Sequence, residues 1–301
     1  MPAIVADVGG TNSRLALVSS GGVGPVRRYA NDGFADFGAV LARFLSETSP
    51  DPLSACVVAV AGPVTGGQGR LTNRDWGFDA AALSAALPGE PPARLVNDLA
   101  ALGHALPALA PDQVESLRLG PGEGLGNGQR LVVGLGTGFN VCLVTGSGEV
   151  VEAELGHASL PASLAASLGP RAGDFATCEA LFSGPGLARL HDDGRTDGAR
   201  LVAAAEHDPA AAATLSEMAR LLGLMTREMT FHYMPLGGIA FAGSVARSLL
   251  GPLGRTAFLT AATPTGTFSE LAARVPLRLI TDDAAALTGL ARLSCAPAFS
   301  G

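Results

Sequence analysis

Two apolar runs separated by a glycine-rich turn stand near the start of the chain. Residues 3–18 read AIVADVGGTNSRLALV, so apolar stretches flank Gly9 and Gly10. Such runs, bounded by glycine, are typical of strands joined by a tight turn. The same design recurs at residues 131–144, LVVGLGTGFNVCLV, about 127 residues later. The chain is therefore predicted to contain two similar halves, which is a duplication and not a solenoid.

Single apolar runs follow each of these predicted hairpins. Residues 55–61 (ACVVAVA) are continuously apolar and end in Gly62 and Pro63, which is typical of a strand buried on both faces. Shorter runs of the same kind predict strands at residues 94–96, 239–242 and 277–280. Each of these runs ends in polar residues or glycine, where a strand would lead into a loop or a helix.

Helical patterns lie between the predicted strands. Asp208 and Pro209 are a capping residue followed by a first-turn proline, and apolar residues then recur at helical spacing. These residues are Leu215, Met218, Leu222, Met225 and Met229. Shorter helices are expected at residues 79–87 and after Asp282 or Asp283. Alternating strands and helices predict an α/β fold with mixed sheets.

The length of 301 residues indicates more than one core. Because domains usually hold about 150 residues, we expect two of them, with a cleft between them as the natural ligand site. We place a small α/β domain at residues 1–108 plus 282–301 and a large α/β domain at residues 109–281.

Composition narrows the choice of partners and of compartment. Apolar residues make up 48% of the chain, but no apolar run reaches the roughly 18 residues that a membrane span needs. Met1 leads straight into a strand and not into a signal peptide, so we expect a cytoplasmic protein. A net charge of -7 argues against nucleic-acid binding, which depends on clustered positive charge. The four scattered cysteines are predicted to be reduced and mostly buried.

The chain contains no lysine, because all 20 of its Lys and Arg residues are arginine. A Walker P-loop requires a lysine on the β and γ phosphates, a protein kinase requires its strand lysine, and a Schiff-base enzyme requires an amine. All three classes are excluded. Any chemistry on ATP must therefore depend on backbone amides, Mg²⁺ and arginine.

The first turn carries groups that suit a phosphate and a metal ion. They are Asp7, Gly9, Gly10, Thr11 and Asn12. Bare glycine backbone lets amides approach an anion, Thr11 adds a hydroxyl donor, and Asp7 can hold a hydrated Mg²⁺. The alternative is an ordinary hairpin turn in which Gly10 and Asn12 adopt left-handed conformations.

The second turn repeats these features with Gly136, Thr137 and Gly138. Two such hairpins facing each other across a cleft would embrace phosphates and replace the missing lysine. The rival is a dinucleotide-binding fingerprint, because Gly134, Gly136 and Gly138 match the first spacing of G-x-G-x-x-G. The rival fails on context, since the β-prone segment FNVCLV after Gly138 offers no helix N-terminus for a pyrophosphate.

A second carboxylate, Asp98, follows Asn97 directly after the predicted strand at residues 94–96. At that strand end it should project into a crevice, where it can accept the proton of an alcohol that attacks phosphorus. The alternative, which position alone leaves open, is that Asp98 caps a helix starting at Leu99.

Charged residues beside glycine and proline suit a polyol pocket, in which each hydroxyl needs an oriented partner. Glu154 and His157 lie three residues apart in ELGH, and Glu179 precedes ALFSGPG. The alternative is a zinc site. It would need a third or fourth His or Cys ligand nearby, and this segment has none.

Taken together, these motifs resemble bacterial ATP-dependent glucokinases, within the sugar kinase, actin and Hsp70-like ATPase fold. In order they are DVGGTN at 7–12, AVAGPV at 59–64, LTNRDW at 71–76, VND at 96–98, GLGTG at 134–138, ELGH at 154–157 and LFSGPGL at 181–187. The resemblance covers nearly the full length, and the ordered set is far more specific than any one glycine motif. It implies a two-domain actin-like ATPase (ribonuclease H-like) fold, with duplicated mixed sheets flanked by helices and a cleft between the domains.

The resemblance also implies a reaction, in which ATP phosphorylates glucose at the 6-hydroxyl to give glucose 6-phosphate and ADP, the first step of glycolysis. Asp98 is implied as the base, and the implied sugar ligands are Asn97, Asp98, Glu154, His157 and Glu179. Asp7 is implied to assist Mg²⁺, through water. The implied nucleotide ligands are Asp7, Gly9, Gly10, Thr11, Asn12, Gly136, Thr137, Gly138, Gly243 and Ser244. Relatives imply a homodimer and a cleft that closes on the sugar.

The chain departs from the pattern of the family at three places. Phe139 and Asn140 replace the last two residues of GTGLG, and we expect the bulkier turn to alter nucleotide affinity. Leu155 in ELGH stands where EGGH has a bare glycine, and AGSV replaces the common AGGI. None of these departures removes a catalytic side chain.

Three alternatives to a glucokinase stay open at the level of sequence. The first is a non-catalytic sugar sensor that kept the pocket but lost productive ATP binding, which the departures at Phe139, Asn140 and Leu155 motivate. The second is a phosphatase or ATPase of the same fold, in which water attacks. The third is a kinase for another hexose, since hexoses differ by single hydroxyls that the sequence cannot map.

Overall fold

Residues 3–18 and residues 131–144, the two segments with a glycine-rich turn between apolar runs, each form a pair of strands. A computed structural model gives the fold, and it describes residues 1–20, 22–50, 52–120, 126–192, 194–263, 266–267 and 269–295. The backbone divides into two compact units: unit 1 is Met1–Ala110 with Asp282–Gly301, and unit 2 is Pro111–Thr281. The sequence places the first division at residue 108, whereas the backbone places it at residue 110.

Unit 1 is built around a mixed sheet. Its strands are β1 (Ala3–Val8), β2 (Asn12–Ser19), β3 (Gly22–Val23), β4 (Arg27–Ala30), β5 (Ala55–Val60), β6 (Val64–Thr65), β7 (Gln68–Arg70), β8 (Gly77–Asp79) and β9 (Ala93–Asn97). The main sheet has the order β3-β2-β1-β5-β9, and β4 also pairs with β2. Strand β1 runs antiparallel to β2 and parallel to β5, which is parallel to β9. Strands β6, β7 and β8 form a separate antiparallel sheet.

Unit 2 contains a second mixed sheet. Its strands are β10 (Val114–Arg118), β11 (Arg130–Leu135), β12 (Phe139–Val144), β13 (Val150–Glu152), β14 (Gly238–Ala242) and β15 (Leu277–Ile280). Their order is β10-β15-β14-β11-β12-β13. Strand β11 runs antiparallel to β12 and parallel to β14, and β14 is parallel to β15.

The two main sheets share one topology, which confirms the predicted duplication. The order β2-β1-β5-β9 in unit 1 matches β12-β11-β14-β15 in unit 2, with the same strand directions. The turns, however, differ in length. Four residues separate the paired Val8 and Ser13, whereas three separate the paired Leu135 and Phe139. The second turn is therefore tighter by one residue.

Helices flank both sheets. They are α1 (Phe37–Thr48), α2 (Ala80–Ala85), α3 (Asp98–Ala105), α4 (Ala162–Leu168), α5 (Cys178–Leu181), α6 (Gly184–Asp192), α7 (Gly198–Ala204), α8 (Pro209–Tyr233), α9 (Ser244–Leu249), α10 (Arg255–Ala261), α11 (Ser269–Ala273) and α12 (Ala285–Ser294). The last helix returns the chain to unit 1, where it packs against α3, β1 and β5. Across the described ranges, we find no helix with the length and apolarity of a membrane span.

The predicted start of α8 is confirmed by its cap. The Asp208 carboxylate accepts the N–H of Ala210 at 2.9 Å, and Pro209 occupies the first turn. The helix ends at Tyr233 because Met234 takes a left-handed conformation with φ 44°, one residue before Pro235. The side chains at the predicted helical spacing, Leu215 to Met229, lie in the core of unit 2.

The sheet of unit 1 is covered on both faces. Alternate residues of a strand point to opposite faces, so Ile4 and Val8 pack in one cluster with Phe44 of α1. Val5 packs on the other face with Leu290 of α12. Burial on both faces explains why β5 is a continuously apolar run and why β1 is apolar except at Asp7.

Three of the four cysteines are buried, which confirms the prediction for most of them. Cys56, Cys142 and Cys178 are buried free thiols, whereas Cys295 is exposed. Burial raises the pKa of the Cys56 thiol to about 12, so this thiol stays protonated and unreactive at neutral pH.

Candidate active site

The carbonyl groups of the first turn are bound by the protein. Asn31, which is fully buried, donates Nδ2 to the Gly9 oxygen at 2.7 Å and its backbone N–H to the Thr11 oxygen at 2.9 Å. Arg74 Nε donates to the Gly10 oxygen at 3.0 Å. Among the described residues, the amides of Gly10 and Thr11 have no protein acceptor. A turn with occupied carbonyls and open amides is suited to an anion.

The left-handed conformations that the ordinary-hairpin alternative assigns to Gly10 and Asn12 are wrong. Neither residue has a positive φ, and the turn closes with the Gly9 N–H on the Asn12 oxygen at 3.0 Å. A Cβ on Gly9 or Gly10 would meet its nearest neighbour at 3.5 or 3.4 Å, which is ordinary contact. The fold itself therefore tolerates side chains here, and bare backbone matters for the approach of a ligand.

Arg74 of the LTNRDW motif is itself fixed by four groups, one of which is the Asn31 oxygen at 3.5 Å from its Nη1. Its guanidinium lies 5.1 Å from the centre of the Trp76 ring, pairs with Asp32 and donates to Gly10. Asn31 is held too, because its Oδ1 accepts the Ser13 hydroxyl at 2.8 Å. The two side chains that support the turn are thus anchored in the fold of unit 1.

Asp7 lies at the end of β1, and its side chain is 13% exposed. Arg14, on the paired strand β2, donates Nη1 to the Asp7 Oδ2 at 3.1 Å, and its Nη2 lies 3.9 Å from Asp283. Burial raises the pKa of Asp7 above its ordinary value, while the Arg14 guanidinium opposes that shift. Within the described chain, Oδ1 of Asp7 has no hydrogen-bond partner.

Asn97, and not Asp98, caps helix α3. The Asn97 Oδ1 accepts the N–H groups of Leu99 and Ala100 at 2.9 and 3.3 Å, and its Nδ2 donates to the Gly62 oxygen at 3.1 Å. The alternative in which Asp98 merely caps the helix is therefore wrong. Capping by Asn97 fixes the strand end and leaves the neighbouring carboxylate for another role.

Asp98 is the first residue of α3 and uses only one carboxylate oxygen within the protein. Its Oδ1 accepts the Leu99 N–H at 2.9 Å, and across the described residues Oδ2 has no partner. Burial, and then the charge of Asp7, raise the pKa of Asp98 to about 7. A carboxylate with an open oxygen and a pKa near neutrality is suited to general-base work.

The second turn is closed by the Gly136 N–H on the Gly138 oxygen at 2.9 Å. Gly184, in the LFSGPGL motif, donates its N–H to the Gly136 oxygen at 3.0 Å. Among the described residues, the amides of Thr137 and Gly138 have no protein acceptor. A Cβ on Gly138 would displace the carboxylate of Glu179, a predicted sugar ligand, from its present position.

The predicted sugar ligands of unit 2 are oriented by strand β12. The Phe139 N–H donates to the Glu179 Oε2 at 3.1 Å, and the Asn140 Nδ2 donates to the Glu154 Oε2 at 3.0 Å. The His157 Nε2 lies 3.9 Å from the same Glu154 oxygen. Glu154 and His157 are 72% and 74% exposed, so both are open to a ligand.

The expectation that Phe139 makes the second turn bulkier is wrong. Its side chain is 2% exposed and packs in the core of unit 2, with its ring 5.4 Å from that of Phe182. Leu155 likewise packs against that core. Gly156 is the glycine that this segment cannot replace, because a Cβ would collide with the Phe139 oxygen.

The last predicted nucleotide residues follow strand β14. Gly243 has φ 105°, and a Cβ there would collide with the Leu135 oxygen at the end of β11. Only glycine fits this position. Ser244 begins the short helix α9 and is exposed.

Each unit thus brings its own predicted residues together. In unit 1, the charge of Asp7 raises the pKa of Asp98. In unit 2, Glu179 meets Gly138 and Phe139, and Glu154 meets His157 and Asn140. The supporting residues that sequence reasoning missed are Arg14, Asn31 and Arg74. A signal existed for Arg14, a charged position within the apolar strand β2, but not for Asn31.

The duplicated mixed sheets are those of the actin-like ATPase fold, and within that class the chain is an ATP-dependent hexose kinase. A family model described as Glucokinase matches residues 4–296. The chain therefore belongs to the glucokinase family.

Relatives in sequence agree with this membership. The glucokinase of Aromatoleum aromaticum (strain DSM 19018 / LMG 30748 / EbN1) is 31% identical, over 96% of this chain and 93% of its own length. The bifunctional protein glk of Paraburkholderia xenovorans (strain LB400) is 29% identical over 97% of this chain. That protein is longer, and the chain spans 48% of its length.

Solved structures show the same fold. A glucokinase from an Antarctic psychrotroph superposes with a TM-score of 0.83 at 26% identity, covering 97% of this chain and 98% of its own. A ROK family glucokinase from Streptomyces griseus, in complex with glucose and AMPPNP, superposes with a TM-score of 0.66 at 20% identity. Coverage there is 97% of this chain and 99% of the other.

Proposed function

We propose that this protein transfers the terminal phosphoryl group of ATP to the 6-hydroxyl of glucose, giving glucose 6-phosphate and ADP. The observation that carries the proposal is Asp98, a carboxylate with one open oxygen and a pKa raised to about 7. Membership of the glucokinase family, and the glucose and AMPPNP complex of the Streptomyces griseus relative, support this choice of substrates.

In this proposal Asp98 accepts the proton of the 6-hydroxyl while that oxygen attacks phosphorus. A base is most effective when its pKa lies near the working pH, and burial beside Asp7 provides that value. The Leu99 N–H on Oδ1 restrains the carboxylate, and Oδ2 would be the oxygen that accepts the proton.

The open amides of both turns would bind the phosphates, with Thr11 and Thr137 adding hydroxyl donors. Mg²⁺ prefers one or two carboxylates together with phosphates and water. Asp7 fits that preference, since it offers one unpaired oxygen while Arg14 holds the other. The described ranges contain no cluster of three or more ligating side chains. When bound, Mg²⁺ would neutralise charge on the transferring group.

The remaining hydroxyls of the sugar would be bound by Asn97, Glu154, His157 and Glu179. Glu154 and Glu179 each already accept one hydrogen bond from strand β12, so their orientation is set before the sugar arrives. Preorganised carboxylates of this kind can discriminate strongly between hydroxyl configurations.

Turnover by an Asp98→Asn variant tests the proposal. We expect glucose-dependent ADP release to fall at least 1,000-fold, by analogy with the loss of a positioned base, while glucose binding is retained. Coupled assays over a panel of hexoses, with ATP, ADP and polyphosphate as donors, would identify both substrates. Full activity of the Asp98→Asn variant would contradict the mechanism.

The same assays separate the alternatives. ADP that forms equally well without sugar would indicate an ATPase, and sugar binding without any ADP release would indicate a sensor. The structure removes part of the motive for a sensor, because Phe139 and Leu155 pack in the core of unit 2.

We also propose that the protein acts in the cytoplasm as a homodimer and that the two units are separate domains. These proposals rest on the resemblance to bacterial glucokinases. Light scattering distinguishes a dimer from the single chain of 30.2 kDa.

A further inference from the structure

One strand position plays a corresponding part in the two duplicated sheets. It is the residue of the second strand that pairs with the penultimate residue of the first: Arg14 pairs with Asp7, and Asn140 pairs with Gly134. Arg14 donates to the carboxylate of Asp7 at 3.1 Å. Asn140 donates to the carboxylate of Glu154 at 3.0 Å. Each therefore holds a carboxylate of the site in its own unit.

The amide of Asn140 has only one orientation that satisfies its neighbours. Its Oδ1 accepts the Val141 N–H at 2.8 Å, so the NH₂ group must point toward Glu154. The Glu154 Oε2 takes this hydrogen bond. Across the described residues, Oε1 has no hydrogen-bond partner and is open to a hydroxyl.

Glu154 needs such a support because its side chain is 72% exposed. A long exposed side chain samples several rotamers, and ordering it opposes the binding of a ligand. A hydrogen bond from a fixed strand residue removes part of that freedom before the sugar binds. His157, at 3.9 Å, is too distant to do the same.

We propose that Asn140 is a positioning residue that fixes Glu154 for one hydroxyl of the hexose and so sets the discrimination at that hydroxyl. The inference rests on the proposed function, in which Glu154 is a sugar ligand. A role in binding phosphate is the competing reading, because Asn140 lies two residues after Gly138.

The test compares Asn140→Ala and Asn140→Asp with the wild type, using glucose and its 1-, 2-, 3- and 4-deoxy analogues. Steady-state kinetics give KM and kcat, and calorimetry gives the sugar Kd without nucleotide. In Asn140→Ala we expect KM and Kd for glucose to rise about tenfold, the effect of losing one hydrogen bond to a charged group, with the ATP KM unchanged. Asn140→Asp keeps the shape and the Val141 contact but faces Glu154 with a like charge, so we expect a larger rise.

The deoxy analogues give the decisive readout. In the wild type, the deoxy analogue that lacks the hydroxyl bound by Glu154 should have a higher Kd than glucose. In Asn140→Ala this Kd ratio should approach one for that analogue. The same analogue should show the same change in Glu154→Gln. The other three ratios should stay as in the wild type. A merely structural role would lower binding of all five sugars alike.

Asn127→Ala is the matched control. Asn127 also accepts one N–H, from Gln129, and donates one, to the Met234 oxygen, but it touches no predicted ligand. We expect its sugar ratios to equal those of the wild type.

The outcomes separate this inference from the proposed function. Unchanged sugar ratios, or a rise in the ATP KM alone, would overturn the role of Asn140 and leave the kinase intact. Sugar binding with the expected shift but without ADP release would overturn the kinase and leave the role of Asn140 intact. A wild type that neither binds nor phosphorylates any hexose would overturn both.

Discussion

Asn97 and Asp98 divide between them two tasks that adjoin at the end of strand β9. Both ends of the Asn97 amide have structural roles, because Oδ1 caps α3 and Nδ2 donates to the Gly62 oxygen. Asp98 then has an open oxygen and lies in surroundings that raise its pKa. Burial of the charged carboxylate destabilises the folded state at neutral pH, but the raised pKa suits a general base.

The Asp98→Asn variant should therefore gain stability relative to the wild type as pH rises. The pKa of Asp98 is raised from 3.8 to about 7, so the folded state binds its proton more tightly than the unfolded state. The stability of the wild type thus falls as pH rises between these two values, and asparagine does not titrate. We expect the variant to exceed the wild type in Tm by roughly 5 °C at pH 8 and by much less at pH 5.

Thermal unfolding at the two pH values measures this difference. The asparagine can still accept the Leu99 N–H, so the cap geometry is preserved. A Tm difference that is the same at pH 5 and pH 8 would show that Asp98 does not titrate near neutrality.

At the scale of elements, the first turn depends on side chains that come from distant parts of unit 1. Asn31 follows β4, and Arg74 lies between β7 and β8, yet both bind carbonyls of the turn between β1 and β2. The orientation of the open amides is therefore a property of the assembled unit, not of the GGTN sequence alone.

Removal of Arg74 should weaken nucleotide binding selectively. In Arg74→Ala the Gly10 oxygen loses a charged donor, and we expect the KM for ATP to rise about tenfold with little change in the KM for glucose. Initial-rate kinetics with each substrate varied in turn would measure both values.

Arg70→Ala is the matched control, because Arg70 is 70% exposed and pairs only with Asp75 among the described residues. Exposed pairs contribute little, so its KM values should equal those of the wild type. Equal ATP KM values for the Arg74 and Arg70 variants would contradict the supporting role of Arg74.

Elements were readable from the sequence where local pattern decides them. The buried strands and α8 followed from apolar runs and from the Asp208 cap. The conformation of Gly10, the burial of Phe139 and the contact of Asn140 with Glu154 did not, because each depends on residues distant in sequence. The resemblance to a family predicted the site residues. It did not predict that Asn31 and Arg74 bind the carbonyl oxygens of the first turn.

At the scale of the whole molecule, the absence of lysine leaves arginine as the source of permanent positive charge on side chains. None of its 301 residues carries a side-chain amine. We expect acylation by an amine-reactive ester to leave kcat unchanged within about twofold, as no amine takes part in phosphoryl transfer here.

An arginine-directed dicarbonyl reagent is the comparison. Arg14 and Arg74 support the first turn, so we expect the dicarbonyl reagent to abolish activity. Bound ATP should slow this loss of activity. Mass spectrometry would identify the groups that each reagent modified. Loss of activity with the ester would contradict the expectation that no amine takes part.

The one-residue difference between the two turns has a consequence for how such a protein can change. Because strand pairing restores the register after each turn, Arg14 and Asn140 occupy corresponding places although their turns are built differently. A substitution at one of them alters a carboxylate in its own half and leaves the other half untouched. Each half of the fold therefore has its own strand position at which one substitution changes the support of one carboxylate.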